Sequence, residues 1–185
     1  LWDKNEKKLF LARDRFGEKP LYFGWQGQGA EKSFLFGSEL KALKLHPSFS
    51  AKVDRGSLTL LLRHNYIPAP YSIYEGISKL EPGSILSVSL NHPNPVISKY
   101  WDVIDAAMRA KSNPFMGSPD QAVDMLEVMA KSAVQQQMLA DVPLGAFLSG
   151  GIDSSTVVAL MHSQSPHPIK TFTIGFNRSE EHTSE

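Results

Sequence analysis

The sequence predicts a mixed chain in two parts, an α+β segment of short antiparallel strands followed by the first βαβ unit of an α/β domain. Three observations lead there. Short apolar and aromatic runs separated by Gly- and Pro-bearing turns fill the first hundred residues, a Lys-, Ser-, Asn-, Pro- and Gly-rich stretch interrupts the chain at 108–119, and a strand, glycine turn, helix and strand follow across 144–176.

In the first part, residues 9–12 (Leu-Phe-Leu-Ala) and 21–23 (Leu-Tyr-Phe) flank a charged stretch holding Gly17 and Pro20, which predicts two antiparallel strands around a turn. The charges of residues 13–19 are expected to shape and solvate that turn, in preference to Asp14 and Arg15 acting as an acid–base pair. Residues 34–36 predict a third strand, and Ser38 followed by 39–45 a short capped amphipathic helix. Over 54–64, Leu58, Leu61 and Leu62 recur at helical spacing, and Pro68 and Pro70 are expected to stop that helix. Residues 84–90 alternate as a strand, 91–95 (Asn-His-Pro-Asn-Pro) form a turn, and 96–101 read as the next strand.

Beyond the 108–119 stretch, Ser118-Pro119-Asp120-Gln121 has the form of a capping box with proline at the first helical position. Ala122, Leu126, Met129, Ala133 and Met138 then predict one amphipathic helix over 119–139, packed on the second domain. A methionine-bearing stripe of this kind is a packing surface, and no chemistry is assigned to it.

The run Ser149-Gly150-Gly151-Ile152-Asp153-Ser154-Ser155 lies where the apolar 144–148 gives way to a helical pattern over 153–161. Paired glycines allow positive φ and close approach of the backbone, so that successive N–H groups can converge on an anion. The following helix turns its unpaired first N–H groups and positive dipole end to the same point. Ser149, Ser154 and Ser155 add hydroxyl donors, and Asp153 makes sense beside polyphosphate if a Mg²⁺ lies between them. A plain serine-glycine turn with a helix cap is the weaker reading, because the six fixed positions arise by chance in a chain of this length with a probability on the order of 10⁻⁵. A Walker loop would need a lysine after the glycines, and a dinucleotide fingerprint would need G-x-G-x-x-G; neither is present. The loop therefore favours grasping a pyrophosphate over transferring a γ-phosphoryl group. Residues 169–176 supply the second strand, completing a βαβ unit whose ligand site is expected at the carboxyl ends of its strands.

Residues 139–148 (Leu-Ala-Asp-Val-Pro-Leu-Gly-Ala-Phe-Leu) running into 149–155 closely resemble the start of the synthetase domain in glutamine-dependent asparagine synthetases. Upstream, residues 12–23 (Ala-Arg-Asp-Arg-Phe-Gly-Glu-Lys-Pro-Leu-Tyr-Phe) and 36–43 (Phe-Gly-Ser-Glu-Leu-Lys-Ala-Leu) look like the end of that family's class II glutamine amidotransferase domain. Leu80-Glu81-Pro82-Gly83-Ser84 and Tyr100-Trp101-Asp102 fit its passage between domains. The resemblance implies the C-terminal portion of an Ntn-type amidotransferase domain over 1–107, a linker over 108–119, and over 120–177 the start of an adenine nucleotide alpha hydrolase-like (PP-loop) domain. It further implies glutamine, aspartate and ATP as substrates and Mg²⁺ as the metal, with aspartate adenylated, pyrophosphate expelled and ammonia attacking the acyl adenylate. The implied ATP site is Leu148, Ser149, Gly150, Gly151, Asp153, Ser154, Ser155 and Ile174, with Leu148 and Ile174 against the adenine ring and Asp153 on the metal. Relatives that amidate other carboxylates, such as sugar acids, use the same loop, and a non-catalytic nucleotide-binding piece is a further alternative. A homodimer is compatible with the resemblance for the full-length protein.

Composition constrains the partners. Lys plus Arg and Asp plus Glu both number 19, so the formal charge is zero, which argues against nucleic acid or an anionic membrane as the main partner. No apolar run has membrane-spanning length and no secretory signal opens the sequence, so a cytoplasmic setting is expected. There is no cysteine, hence no disulfide, no thiolate metal site and no cysteine nucleophile of the kind class II amidotransferases use. With Leu1 first and that nucleophile lacking, the chain is expected to be an internal fragment with no catalytic residue and no glutaminase activity of its own. Residues 178–185 depart from the family pattern and are expected to be a non-native tail. The six histidines are scattered without metal-ligand spacing, and no G-x-S-x-G elbow is present.

Overall fold

The computed structural model describes residues 1–175; the first unit is Leu1–Pro114 and the second starts at Phe115. The first unit contains, in order, β1 (Trp2–Asp3), β2 (Lys8–Ala12), β3 (Tyr22–Gln26), β4 (Ser33–Gly37), α1 (Leu40–Leu43), α2 (Arg55–His64), β5 (Ser78–Lys79), β6 (Ser84–Ser89), β7 (Val96–Lys99) and α3 (Val103–Ser112). Two antiparallel sheets result, one ordered β1-β2-β6-β7 and the other β4-β3-β5. Leu11, Leu86 and Val88 from the first sheet form one buried cluster with Phe23 and Leu80 from the β3 and β5 side, so the sheets share a core. A second cluster, Leu35, Leu43 and Ile77, lies under α1. Strand β6 alternates buried and half-buried positions along its length, as its period-2 pattern requires.

Strands β2 and β3 do not form the expected hairpin. β2 pairs with β1 and β6, whereas β3 pairs with β4 and β5. Residues 13–19 carry the chain from one sheet to the other, and the side chain that shapes them is buried, not solvated. The Arg13 guanidinium donates from Nε to the Lys19 carbonyl at 2.9 Å, from Nη2 to that of Gly17 at 2.8 Å, and from Nη1 to that of Leu80. The exposed Asp14 carboxylate accepts the Glu18 N–H at 2.9 Å. Leu21 then enters the second sheet region, its carbonyl accepting the Leu80 N–H at 2.8 Å.

Helix boundaries follow local capping. α1 is a single turn with Glu39, not Ser38, at its N-cap; no side chain caps it among the described residues, and Glu39 instead pairs with Lys41 at 2.8 Å. Burial of Leu43 holds it in place. In α2 the Asp54 carboxylate accepts the Ser57 N–H, and the helix ends at left-handed Asn65 (φ 60°), before the prolines can act on it. α3 is capped by Asp102, which accepts from the N–H groups of Ile104 and Asp105, and runs to Ser112. Residues 108–112, expected within the linker, are therefore helical; Pro114 is the first residue that forbids continuation, and the irregular stretch is 113–118.

The second unit contains α4 (Pro119–Gln137), β8 (Gly145–Phe147), α5 (Ile152–Gln164) and β9 (Lys170–Phe172). Both halves of the α4 capping box form: the Gln121 N–H donates to Ser118 Oγ at 3.2 Å, and the Ser118 N–H to Gln121 Oε1 at 2.9 Å. α4 packs against α5, but of the expected stripe only Met138 is half-buried. Its half-buried apolar positions are Ala130 and Val134, with Met138 just beyond its end, whereas Leu126 and Met129 are 66% and 64% exposed. Ala130 and Val134 each follow a stripe residue, Met129 and Ala133, by one position, about 100° round the helix, so this second row is a different face. β8 and β9 pair in parallel, with Ala146 opposite Thr171 and Phe147 opposite Phe172, and α5 is the crossover. The expected second strand is shorter than predicted, ending at Phe172; Phe176 and the expected tail 178–185 lie outside the described residues.

Candidate functional site

Strand β8 delivers the chain to the turn at 149–151, and α5 leaves from it. Pairing continues one residue past the ends of the strands: the Leu148 N–H donates to the Phe172 carbonyl at 2.9 Å, and Thr173 Oγ1 donates to the Leu148 carbonyl at 2.7 Å. Leu148, the turn and Ile174 therefore lie together at the carboxyl edge of the parallel pair. Leu148 is half-buried and Ile174 exposed.

Only one of the two glycines takes positive φ. Gly150 sits at φ +83°, and a Cβ built there would meet no atom of the described residues within 4 Å. Gly151 has φ −77° and is the N-cap of α5. A Cβ on Gly151 would make only an ordinary 3.6 Å contact with Ser149 Oγ. Among the described residues nothing crowds Gly150 and only Ser149 Oγ reaches the Gly151 position, which leaves the rim open for a ligand to approach the backbone.

At the opening of α5, no side chain caps the helix among the described residues. The first intrahelical bond is from the Ser155 N–H to the Gly151 carbonyl, at 3.1 Å. The N–H groups of Ile152, Asp153 and Ser154 precede it and face outward at the positive end of a 13-residue helix. Ser149 and Ser154 turn to each other: their hydroxyls are 3.0 Å apart, the Ser149 N–H donates to Ser154 Oγ at 3.3 Å, and Ser154 Oγ donates to the Gly151 carbonyl at 3.1 Å. Asp153 and Ser155 are exposed, Asp153 in the first turn of the helix. No group of three or more His, Asp or Glu gathers among the described residues, so Asp153 offers a single carboxylate.

The structure thus brings seven of the eight expected residues into one strand-turn-helix segment and sets Ile174 beside it across the strand pair. Sequence reasoning did not foresee Thr173, whose hydroxyl ties the second strand to Leu148, nor the Ser149–Ser154 contact. Nothing in a linear pattern marks a hydroxyl 25 residues away as a partner.

The glutamine amidotransferase domain model matches residues 1–101. The chain belongs to that family. The asparagine synthase model matches residues 126–185, which includes the turn at 149–155. Across the whole chain, asparagine synthetase [glutamine-hydrolyzing] 3 of Bacillus subtilis is 33% identical over 98% of this chain and 28% of its own length. Putative asparagine synthetase [glutamine-hydrolyzing] 2 of Methanocaldococcus jannaschii is 33% identical over 99% of this chain and 34% of its own. Amidase chry2 of Gibberella zeae is 30% identical over 87% of this chain and 22% of its own length. The chain of this glutamine amidotransferase family member therefore spans about a third or less of the relatives it matches. Among the described residues, no helix is long and apolar enough to cross a membrane.

Proposed function

We propose that the chain is part of a glutamine-hydrolysing asparagine synthetase, a carbon–nitrogen ligase that converts aspartate, ATP and glutamine into asparagine, AMP, pyrophosphate and glutamate. What carries the reading is the uncapped, glycine-rimmed turn 149–155 at the carboxyl edge of a parallel strand pair, inside the stretch that resembles asparagine synthase. In this reading the first unit is the end of an Ntn-type amidotransferase domain and the second the start of a PP-loop domain, with 113–118 as the core of the linker. The protein works in the cytoplasm, and a homodimer is compatible with it.

The turn binds the pyrophosphate arm of ATP. Outward N–H groups at the start of α5 donate to phosphate oxygens, joined by the hydroxyls of Ser155 and of Ser149 and Ser154, the last two rotating away from each other and from the Gly151 carbonyl to do so. The open space around Gly150 and Gly151 lets those oxygens reach the backbone. Leu148 and Ile174 offer apolar surface to the adenine. Asp153 fits a Mg²⁺ held mainly by phosphates, since such an ion needs only one or two protein carboxylates, and when bound it would offset charge developing on the leaving pyrophosphate. These residues bind and stabilise; none acts as a nucleophile.

Asp153→Ala in the full-length protein should lower aspartate-dependent ATP–pyrophosphate exchange at least about a hundredfold while glutamine hydrolysis persists. Wild-type exchange in that variant would remove the metal role. A second reading is a related amidotransferase acting on another carboxylate, since one similar protein, named an amidase, does not carry the asparagine synthetase name. Exchange driven by some other carboxylate, and not by aspartate, would decide for it.

A further inference from the structure

In the first unit, residues 13 and 15, the loop after α2, β5 and the approach to α3 enclose a cleft of about 520 Å³. Arg13, Arg15, Lys79 and Lys99 line it, against two carboxylates, Glu81 and Asp102. Those carboxylates are engaged: Lys99 Nζ lies 3.2 Å from Glu81 and 3.1 Å from Asp102, and Asp102 also caps α3. Arg13 commits its guanidinium to carbonyl oxygens. Lys79 and Arg15 have no such partner: among the described residues, neither has a carboxylate within ion-pair distance.

The two cations differ in depth. The Lys79 side chain is half-buried, donates to the Ile67 carbonyl at 2.7 Å and lies 5.4 Å above the Tyr22 ring, with further ammonium protons to give. Burial, and then the like charge of Arg13, hold its pKa below the ordinary lysine value. An incoming anion would favour its charged form. Arg15 is exposed. The remaining lining includes Tyr66, Pro68, Pro82 and Trp101, whose ring and methylene surfaces suit an apolar body. A compact, hydrated phosphate would leave those walls wet, and a monocarboxylate brings only one negative charge to the two cations.

We propose that this cleft binds a small dicarboxylate, one carboxylate meeting Lys79 at depth and the other Arg15 at the rim, with an aliphatic spacer against the proline and aromatic walls. The site lies wholly in the first unit and does not depend on the function proposed for the turn 149–155.

Calorimetric titration of the 185-residue chain with succinate tests it. One succinate should bind per chain with a Kd on the order of 1 mM or tighter, and propionate at least about tenfold more weakly, because one charge-assisted contact is lost. Arg15→Gln and Lys79→Met should each weaken succinate at least about tenfold. Lys79 is partly buried and its replacement could disturb folding; Arg15 is exposed, so Arg15→Gln gives the decisive reading once circular dichroism shows an unchanged fold. No binding heat up to about 10 mM succinate, undiminished binding in Arg15→Gln, or equal competition by inorganic phosphate would overturn the assignment.

Discussion

Arg13 is the residue on which the first unit turns. Its guanidinium is buried, and each bond it makes fixes a different piece of chain: the turn at Gly17, the exit at Lys19, and Leu80 beside the second sheet. Arg13→Met would leave three carbonyls short of a donor. A loss of about 3 kcal/mol or more is expected, read as a lower urea midpoint; Arg13→Lys should recover only part, because an ammonium cannot reproduce the planar fork. Asp14 makes the same turn pH-sensitive. The Glu18 N–H, opposed by slight burial and assisted by the N–H groups of Lys19 and Gly17, holds its carboxyl below the ordinary 3.8. A carboxylate depressed in the folded state contributes stability that is full above its unfolded value and lost as pH falls through the folded one. Acid titration of unfolding should therefore show Asp14→Asn losing less stability than the parent chain below about pH 4. Little of this residue-scale picture is legible in the sequence. The run 13–19 signals a charged turn, but the acceptor that converts Arg13 from a surface charge into a buried strut is 67 residues away.

At the scale of elements, what is legible is whatever depends on neighbours a few positions apart. The helix over 54–64, the alternation of β6, and the strand, turn and helix around 145–164 follow from local chemistry and form, whereas the expected Ser38 cap on α1 does not. The α4 capping box is the fullest case, with both reciprocal bonds made at an exposed helix start. Ser118→Ala should cost about 1 kcal/mol, measured as a loss of helical ellipticity on heating before the main transition. Pairing partners are less legible. Two adjacent apolar runs predict a hairpin because nearby strands commonly pair, yet β2 and β3 go to different sheets. Helix facing fails for a related reason: apolar periodicity finds the stripe through Leu126 and Met129 but cannot say which row will be covered, and the half-buried apolar positions within the helix are Ala130 and Val134.

At the scale of the whole molecule, the proposed reaction needs two chemistries, ammonia release from glutamine and activation of a carboxylate by ATP. The chain contains the entire turn 149–155 yet no cysteine, so it has no thiol to attack glutamine. Purified, it should release no ammonia from glutamine above a blank in a coupled glutamate dehydrogenase assay; release would point to a nucleophile of another kind. The glycine-rimmed turn can in principle be tested on the same sample, because its strand, turn and helix lie in one segment of sequence.

The first sheet also sets an order of assembly. β2 is an inner strand, but the partner on one side, β6, lies about 70 residues further along the chain. At a synthesis rate of about 5–20 residues per second, β2 waits roughly 4–15 s on the ribosome with Leu9 and Leu11 uncovered and one row of backbone donors and acceptors open. β6 and β7, joined by a short turn, need no such delay. The nascent chain is thus most exposed to wrong pairing before residue 84 emerges, and a pause in translation would be harmful while β6 is still inside the ribosome and harmless once β6 and β7 are out.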